Sequence, residues 1–280
     1  MNPEASPLPK KSAEVLGISL SGTTKEGLLW LASEKIARGS KFLIVTPNPE
    51  IVVLAQKDTE LAKIINGARV SLPDGVGLLQ ANKLLNKKSR AADLNRIKGR
   101  EAFLWLLELS NRKKYKVFFL GGRSGVIKKS IEKVRRHYPN IKIDGHAGPH
   151  LDSSANPVTQ IDNDVEREVV SILRRRKPDL LFIAFGAPKQ EKWAAKWMRK
   201  LPVKGVMVVG GTLDVFSGVK TLPPHWMAEA GLEWLWRLAQ EPSRLPRVVN
   251  AVLVFPLFVA RHSLRRALHS VSTLCHHEQW

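Results

Sequence analysis

Cysteine is nearly absent from this chain: Cys275 is the single one in 280 residues. That excludes an intrachain disulfide framework and a thiolate metal cluster, and it points to a reducing compartment. A long apolar run is also missing. The longest, residues 248–260, contains Asn250 and Pro256 and falls short of the roughly 20 residues that span a bilayer, so no segment is expected to cross a membrane. The N-terminus lacks the positive-then-apolar signature of a secretory signal, and residues 1–13 are expected to form a disordered, Pro-containing extension. Acidic residues are scarce: 25 Asp and Glu face 45 Lys and Arg, a net charge of +20. Such an excess fits nucleic acid, an anionic membrane or a phosphate-bearing substrate. A single run such as Arg174 to Lys177 also fits an ordinary solvated face.

What is present is an alternation. Apolar runs at 42–45, 116–120, 180–184 and 206–209 read as strands buried on both faces. Helical patterns lie between them at 25–38, 51–66, 77–86, 100–111, 125–138, 165–177 and 189–201. Strand and helix in alternation predict an α/β fold: a mostly parallel, Rossmann-like sheet flanked by helices over residues 14–221. After Thr221 the strand pattern stops. Residues 222–280 carry Trp226, Trp234 and Trp236, then an apolar and basic tail, which predicts a helical C-terminal appendage. Its pattern fits a segment lying on a membrane surface, and equally a helix pair packed on the core.

Several strands end in small-residue turns that lead into helices, the place where α/β proteins bind ligands. The most informative runs from Phe185 through Gly186-Ala187-Pro188-Lys189-Gln190-Glu191 to Trp193. Thr46-Pro47-Asn48 ends another strand, where a hydroxyl and an amide can bond a sugar or nucleotide, or cap the next helix. Asp74-Gly75-Val76-Gly77 sets a carboxylate in a glycine turn, as a general base or as a helix cap; a cap would lower its pKa. Gly121-Gly122 and Gly210-Gly211, the latter followed by Asp214, can cradle phosphates. Asp162-Asn163-Asp164 could hold a divalent cation, but its place at a helix start favours capping. His146 and His150 lack further ligands nearby, which argues against zinc.

Together these blocks resemble the bacterial WecG/TagA/CpsF glycosyltransferase family. The resemblance rests on Thr46-Pro47-Asn48-Pro49-Glu50, on Pro73 to Gly77, on Gly186 to Glu191, and on Leu232 to Leu238 followed by Glu241-Pro242. It runs from about Val15 to Arg247. It implies an inverting, metal-independent enzyme without a cofactor. The sugar, N-acetylmannosamine or a related hexose, would pass from a UDP-sugar to a polyprenyl-diphosphate-linked saccharide in cell-envelope polysaccharide or teichoic acid synthesis. It also implies that Asp74 is the base, with Thr46 and Arg237 beside it in catalysis. Asn48 and Gln190, with the turn residues Gly121, Gly122, Gly186 and Asp214, are assigned to the donor; Arg237, Arg244 and Arg247 are assigned to the diphosphate. The expected location is cytoplasmic, peripheral on the inner face of an anionic membrane. A homo-oligomer is compatible with the chain, and nucleic acid is not an expected partner.

Two rivals follow from composition and fold class. A nucleic-acid-binding protein would explain the charge but leave the glycine turns and Asp74 idle. A nicotinamide-dependent oxidoreductase would use a similar sheet, but no Gly-x-Gly-x-x-Gly follows the first apolar strand.

Overall fold

The computed structural model describes residues 8–86 and 94–275. Parts of the first extension and of the basic stretch 83–100 therefore lie outside the described residues. The chain opens with an antiparallel hairpin, β1 (Lys10–Val15) and β2 (Ile18–Gly22), so the expected disordered extension gives way to a strand at Lys10. There follow α1 (Lys25–Ala37), β3 (Phe42–Val45), α2 (Pro49–Lys57), α3 (Thr59–Gly67), β4 (Val70–Ser71) and α4 (Val76–Leu85). The next stretch holds α5 (Gly99–Lys113), β5 (Lys116–Gly121), α6 (Ser124–His137), β6 (Lys142–His146) and α7 (Gln160–Arg176). β7 (Leu180–Ala184), α8 (Lys189–Met198), β8 (Gly205–Val208) and α9 (Thr212–Phe216) complete the strand-bearing part. The appendage is helical: α10 (His225–Glu229), α11 (Glu233–Gln240), a 3-10 turn (Pro242–Arg244), α12 (Leu245–Val249), a π turn (Asn250–Val254) and α13 (Phe255–Cys275).

Six strands form one parallel sheet in the order β4-β3-β8-β7-β5-β6. Parallel strands need helical crossovers, which cover both faces and leave the central strands buried on both sides. Each face accordingly has its own apolar cluster. On one, Phe103 packs edge-on against Phe182 (5.0 Å) and Phe216 (5.2 Å). The four apolar runs expected as strands are all strands. β6 and β1 escaped because their residues are mostly half-exposed or exposed and polar, KIDGH and KKSAEV, while β2, ISLSG, is buried but broken by serines. β4 escaped because it has two residues.

Two helices differ from expectation. Residues 51–66 are two helices, broken at Asp58, whose Oδ1 accepts from Leu61 N at 2.9 Å and caps the second. α7 starts five residues before 165, because Thr159 and Asp162 form a reciprocal capping box. Asp162 is thereby a capping residue, and Asp164 pairs with Arg167 at 3.3 Å.

The appendage shares the core. Phe255 and Val259 are 2% and 5% exposed and join the cluster beneath one sheet face. The helical tract Pro242–Arg266 is long and apolar enough to cross a membrane by length and composition. The expectation that no segment reaches that length is corrected: the helical tract runs on through Pro256 and past both ends of 248–260, although its flanks carry Arg244, Arg247, Arg261, Arg265 and Arg266.

Candidate active site

All six parallel strands point their carboxyl ends to one edge, so the glycine turns that follow β4, β5, β7 and β8 sit there. The edge divides in two. Over β3 and β4 a cavity of about 620 Å³ opens, walled by the turns after those strands and by the appendage. Asn48, Glu50, Asp74, Arg237, Arg244 and Arg247 all line it.

The core wall is held by short bonds. The Asp74 amide donates to Pro47 O at 2.9 Å, tying the turn after β4 to the turn after β3. Asn48 Oδ1 accepts from Ile51 N at 2.9 Å and caps α2, while its side chain also borders the cavity. Gly75 takes φ +102° with Pro49 packed on it, a conformation that disfavours any residue with a Cβ. Gly75, not Asp74, occupies the cap position of α4, and no side chain caps that helix. The cap reading of Asp74 therefore fails. Burial raises the proton affinity of its carboxyl, opposed by the guanidiniums of Arg237 and Arg96 and the amide of Gly99. That combination suits a base: a desolvated carboxylate with raised basicity, kept ionisable by cations across the cavity. Thr46 lies beneath, its side chain against Gly99, where a Cβ would come within 3.2 Å.

The appendage wall is cationic. α11 brings Arg237, the 3-10 turn Arg244 and α12 Arg247, so the bend at Pro242 and Pro246 re-aims the last two. Arg244 Nε meets Glu241 Oε2 at 2.8 Å, and Lys220 meets the same oxygen at 2.6 Å. Lys220 holds the Glu241 carboxyl down to about 2, against burial and with help from Arg244. Lys220 also meets Asp214 at 3.3 Å, so Asp214 anchors the appendage through a lysine and lines a smaller cleft with Arg237 and Arg244.

Sequence reasoning missed a second clamp. Glu233 accepts from Lys98 at 2.9 Å, with Arg96 at 3.4 Å and Arg100 at 3.8 Å. Although burial opposes it, these three cations hold its carboxyl below the usual range. Their signal was the basic stretch 83–100, which composition could not pair with a glutamate 133 to 137 residues away.

The other half of the edge is closed. A Cβ on Gly121 would sit 2.7 Å from the backbone of Ala184, so glycine there lets β5 and β7 approach. Gly122 and Gly186 take φ +83° and +79° in tight turns outside the large cavity. Gln190 is 3% exposed; its Oε1 accepts from Gly210 N (3.0 Å) and Gly186 N (3.3 Å), clamping two turns together. Its Nε2 donates to Glu191 Oε1 at 2.9 Å. Glu191 is buried with Oε2 unpartnered, and burial pushes its carboxyl up to about 7, with Glu50 adding to the rise. Among the described residues no group of three His, Cys, Asp or Glu side chains is placed to hold a metal ion.

Residues 13–269 match the sequence profile of the glycosyl transferase WecG/TagA/CpsF family. The match extends past Arg247, where the resemblance read from the motifs stopped. The chain is 33% identical over 208 residues to an N-acetylglucosaminyldiphosphoundecaprenol N-acetyl-beta-D-mannosaminyltransferase of Bacillus subtilis (strain 168), covering 74% of this chain and 75% of that one. It is 28% identical over 257 residues to a protein of the same name from Staphylococcus aureus (strain MW2), covering 91% and 95%.

Proposed function

Because this chain belongs to the WecG/TagA/CpsF glycosyltransferase family, we propose that it moves N-acetylmannosamine or a related hexose from a UDP-sugar to a polyprenyl-diphosphate-linked saccharide. One observation carries the reading: a half-buried carboxylate, Asp74, shares a cavity with three arginines of the appendage. Asp74 takes the proton of the acceptor hydroxyl as that oxygen attacks the anomeric carbon. The bond from that carbon to the UDP oxygen breaks on the opposite face, so configuration inverts. The electron pair leaves on the diphosphate, where Arg237, Arg244 and Arg247 meet the developing charge. Guanidiniums suit that task because they stay charged and present paired donors to phosphate oxygens. Asn48 borders the same cavity for the donor. No metal or cofactor enters this scheme.

The appendage supplies a route to a lipid acceptor. Leu253, Leu257, Leu264 and Leu268 are 59–71% exposed and recur at spacings of four and seven, one stripe along the helix. Phe255 and Val259 on the opposite face are seated in the core. Arg261, Arg265 and Arg266 are exposed nearby. A leucine stripe with flanking arginines fits a helix lying in the interface of an anionic membrane, peripheral on its cytoplasmic side, better than one spanning it, since a span would pull Phe255 and Val259 from the core.

The test is a panel of UDP-sugars offered with polyprenyl-diphosphate-linked N-acetylglucosamine. Transfer from UDP-N-acetylmannosamine is the expected result. Absence of transfer and of UDP release across the panel would overturn the reading. Binding to duplex DNA in preference to anionic liposomes at matched salt would favour the nucleic-acid rival instead.

A further inference from the structure

Glu50 is the acidic residue of the cavity to which the proposed reaction gives no task. It lies in the first turn of α2, two residues after the Asn48 cap, with its side chain 17% exposed. The other carboxylates around it are accounted for. Asp74 is the base. Glu233 is clamped by Lys98, Arg96 and Arg100. Glu241 is held at 2.6 and 2.8 Å by Lys220 and Arg244. Glu50 instead faces Arg247 Nε at 3.6 Å, a long pair whose arginine is 47% exposed. Arg244 and Arg237 act on the same carboxylate from the 3-10 turn and α11.

One of the guanidiniums that would receive a diphosphate, that of Arg247, thus already faces Glu50, while Arg244 is paired with Glu241. A loose monodentate pair is a weak competitor for a diphosphate, which offers several charged oxygens to the same donors. We propose that Glu50 is the resident counter-anion of the arginine cluster: it holds Arg247 over the cavity, with Arg244 and Arg237 felt only through their charge, and yields Arg247 to the diphosphate of the donor. Glu50 is in this sense a positioning residue. It acts through the guanidiniums and touches no reacting atom. The inference rests on the reading of those three arginines as the diphosphate site.

A pH dependence follows. When the diphosphate draws Arg247 away, Glu50 keeps its burial and its acidic neighbour Glu191 on α8 but loses its nearest counter-charge, so its proton affinity rises further. The groups that face it are Arg247 from α12, Arg244 from the 3-10 turn, Arg237 from α11 and Glu191 from α8; Asp74 and Arg96 line the same cavity. Burial already holds the Glu50 carboxyl above its ordinary 4.5. Donor affinity should therefore be highest where Glu50 is protonated and decline as pH rises through its titration.

The experiment is calorimetric binding of UDP-N-acetylmannosamine, whose diphosphate does not titrate in this range, to the full chain at pH 5.5 and 7.5. Glu50→Gln should tighten binding about two- to fivefold at pH 7.5, the scale of a partly exposed ion pair, with a gain that does not grow as pH falls to 5.5. In steady state it should lower KM for the donor without raising kcat. In an Arg247→Ala background the same substitution should give no gain. Glu50→Asp, which keeps the charge, should give no such gain, and Glu50→Ala, which also removes the charge, repeats the test if Glu50→Gln folds poorly. Equal or weaker binding by Glu50→Gln at pH 7.5, or a gain that survives Arg247→Ala, would each overturn the inference alone. Failure of the wild-type chain to bind any UDP-sugar would overturn the assignment of the arginines as well.

Discussion

The two halves of the sheet's carboxyl edge are made from the same parts and do different work. Over β5 and β7 the turn at Gly121 brings backbones together, and Gln190 locks the turns after β7 and β8 at 3.3 and 3.0 Å. Over β3 and β4 the turns at Asn48 and Gly75 stand open beneath the appendage, around a cavity of about 620 Å³. A glycine turn after a strand therefore marks a place where backbone can come close. Whether the visitor is a ligand or a neighbouring strand depends on what the next strand in the sheet brings.

The comparison is broken most directly by Asp74→Asn. On the open half, loss of the base should cut transfer by about two to four orders of magnitude with the fold intact. Activity within a few-fold of wild type would remove Asp74 from that task. On the closed half the expected damage is to stability. Gly121→Ala must place a Cβ 2.7 Å from Ala184 backbone at φ +98°, so unfolding free energy should fall by about 1–3 kcal/mol. Residual folded enzyme should keep its KM; a raised donor KM without destabilisation would move Gly121 to the ligand side.

A third test addresses the seam between the halves, where Glu191 is buried beside Gln190. Its folded-state carboxyl titrates at about 7, above the ordinary 4.5, so the folded chain keeps a proton that the unfolded chain releases. Stability should be greatest below the ordinary value, decline as pH rises toward about 7, and level off beyond. Glu191→Gln should remove much of that decline, at most about 3 kcal/mol between pH 4.5 and 7 in urea unfolding. A variant with the same pH slope as wild type would show that Glu191 does not carry it. The Glu241 carboxyl, held near 2, acts in the opposite sense: its contribution is present above 4.5 and lost as pH falls toward 2, outside this window. The smallest expected effect is that of EDTA. Turnover should be unchanged by the chelator if arginines alone meet the leaving diphosphate; loss with EDTA and rescue by Mn²⁺ would overturn metal independence.

Legibility followed burial. The strands at 42–45 and 180–184 were readable because a strand covered on both faces is continuously apolar. β6, at the sheet edge, shows half-exposed residues and no such signature. At the site, Asp74 and the three arginines were reachable through the motif blocks. Glu50 stood inside one of those blocks without a readable role, because its partners come from the appendage about 190 residues later.

By itself the sequence determined the α/β class, the family and the turns that could carry chemistry, since periodicity and local turn chemistry are properties of neighbouring residues. Tertiary structure alone decided which turns meet. Strand order puts β3 between β4 and β8, a bend at Pro242 and Pro246 carries Arg244 and Arg247 over the cavity, and burial makes Asp74 basic. Desolvation and long-range charge pairing depend on which surfaces touch, and only the folded chain fixes that.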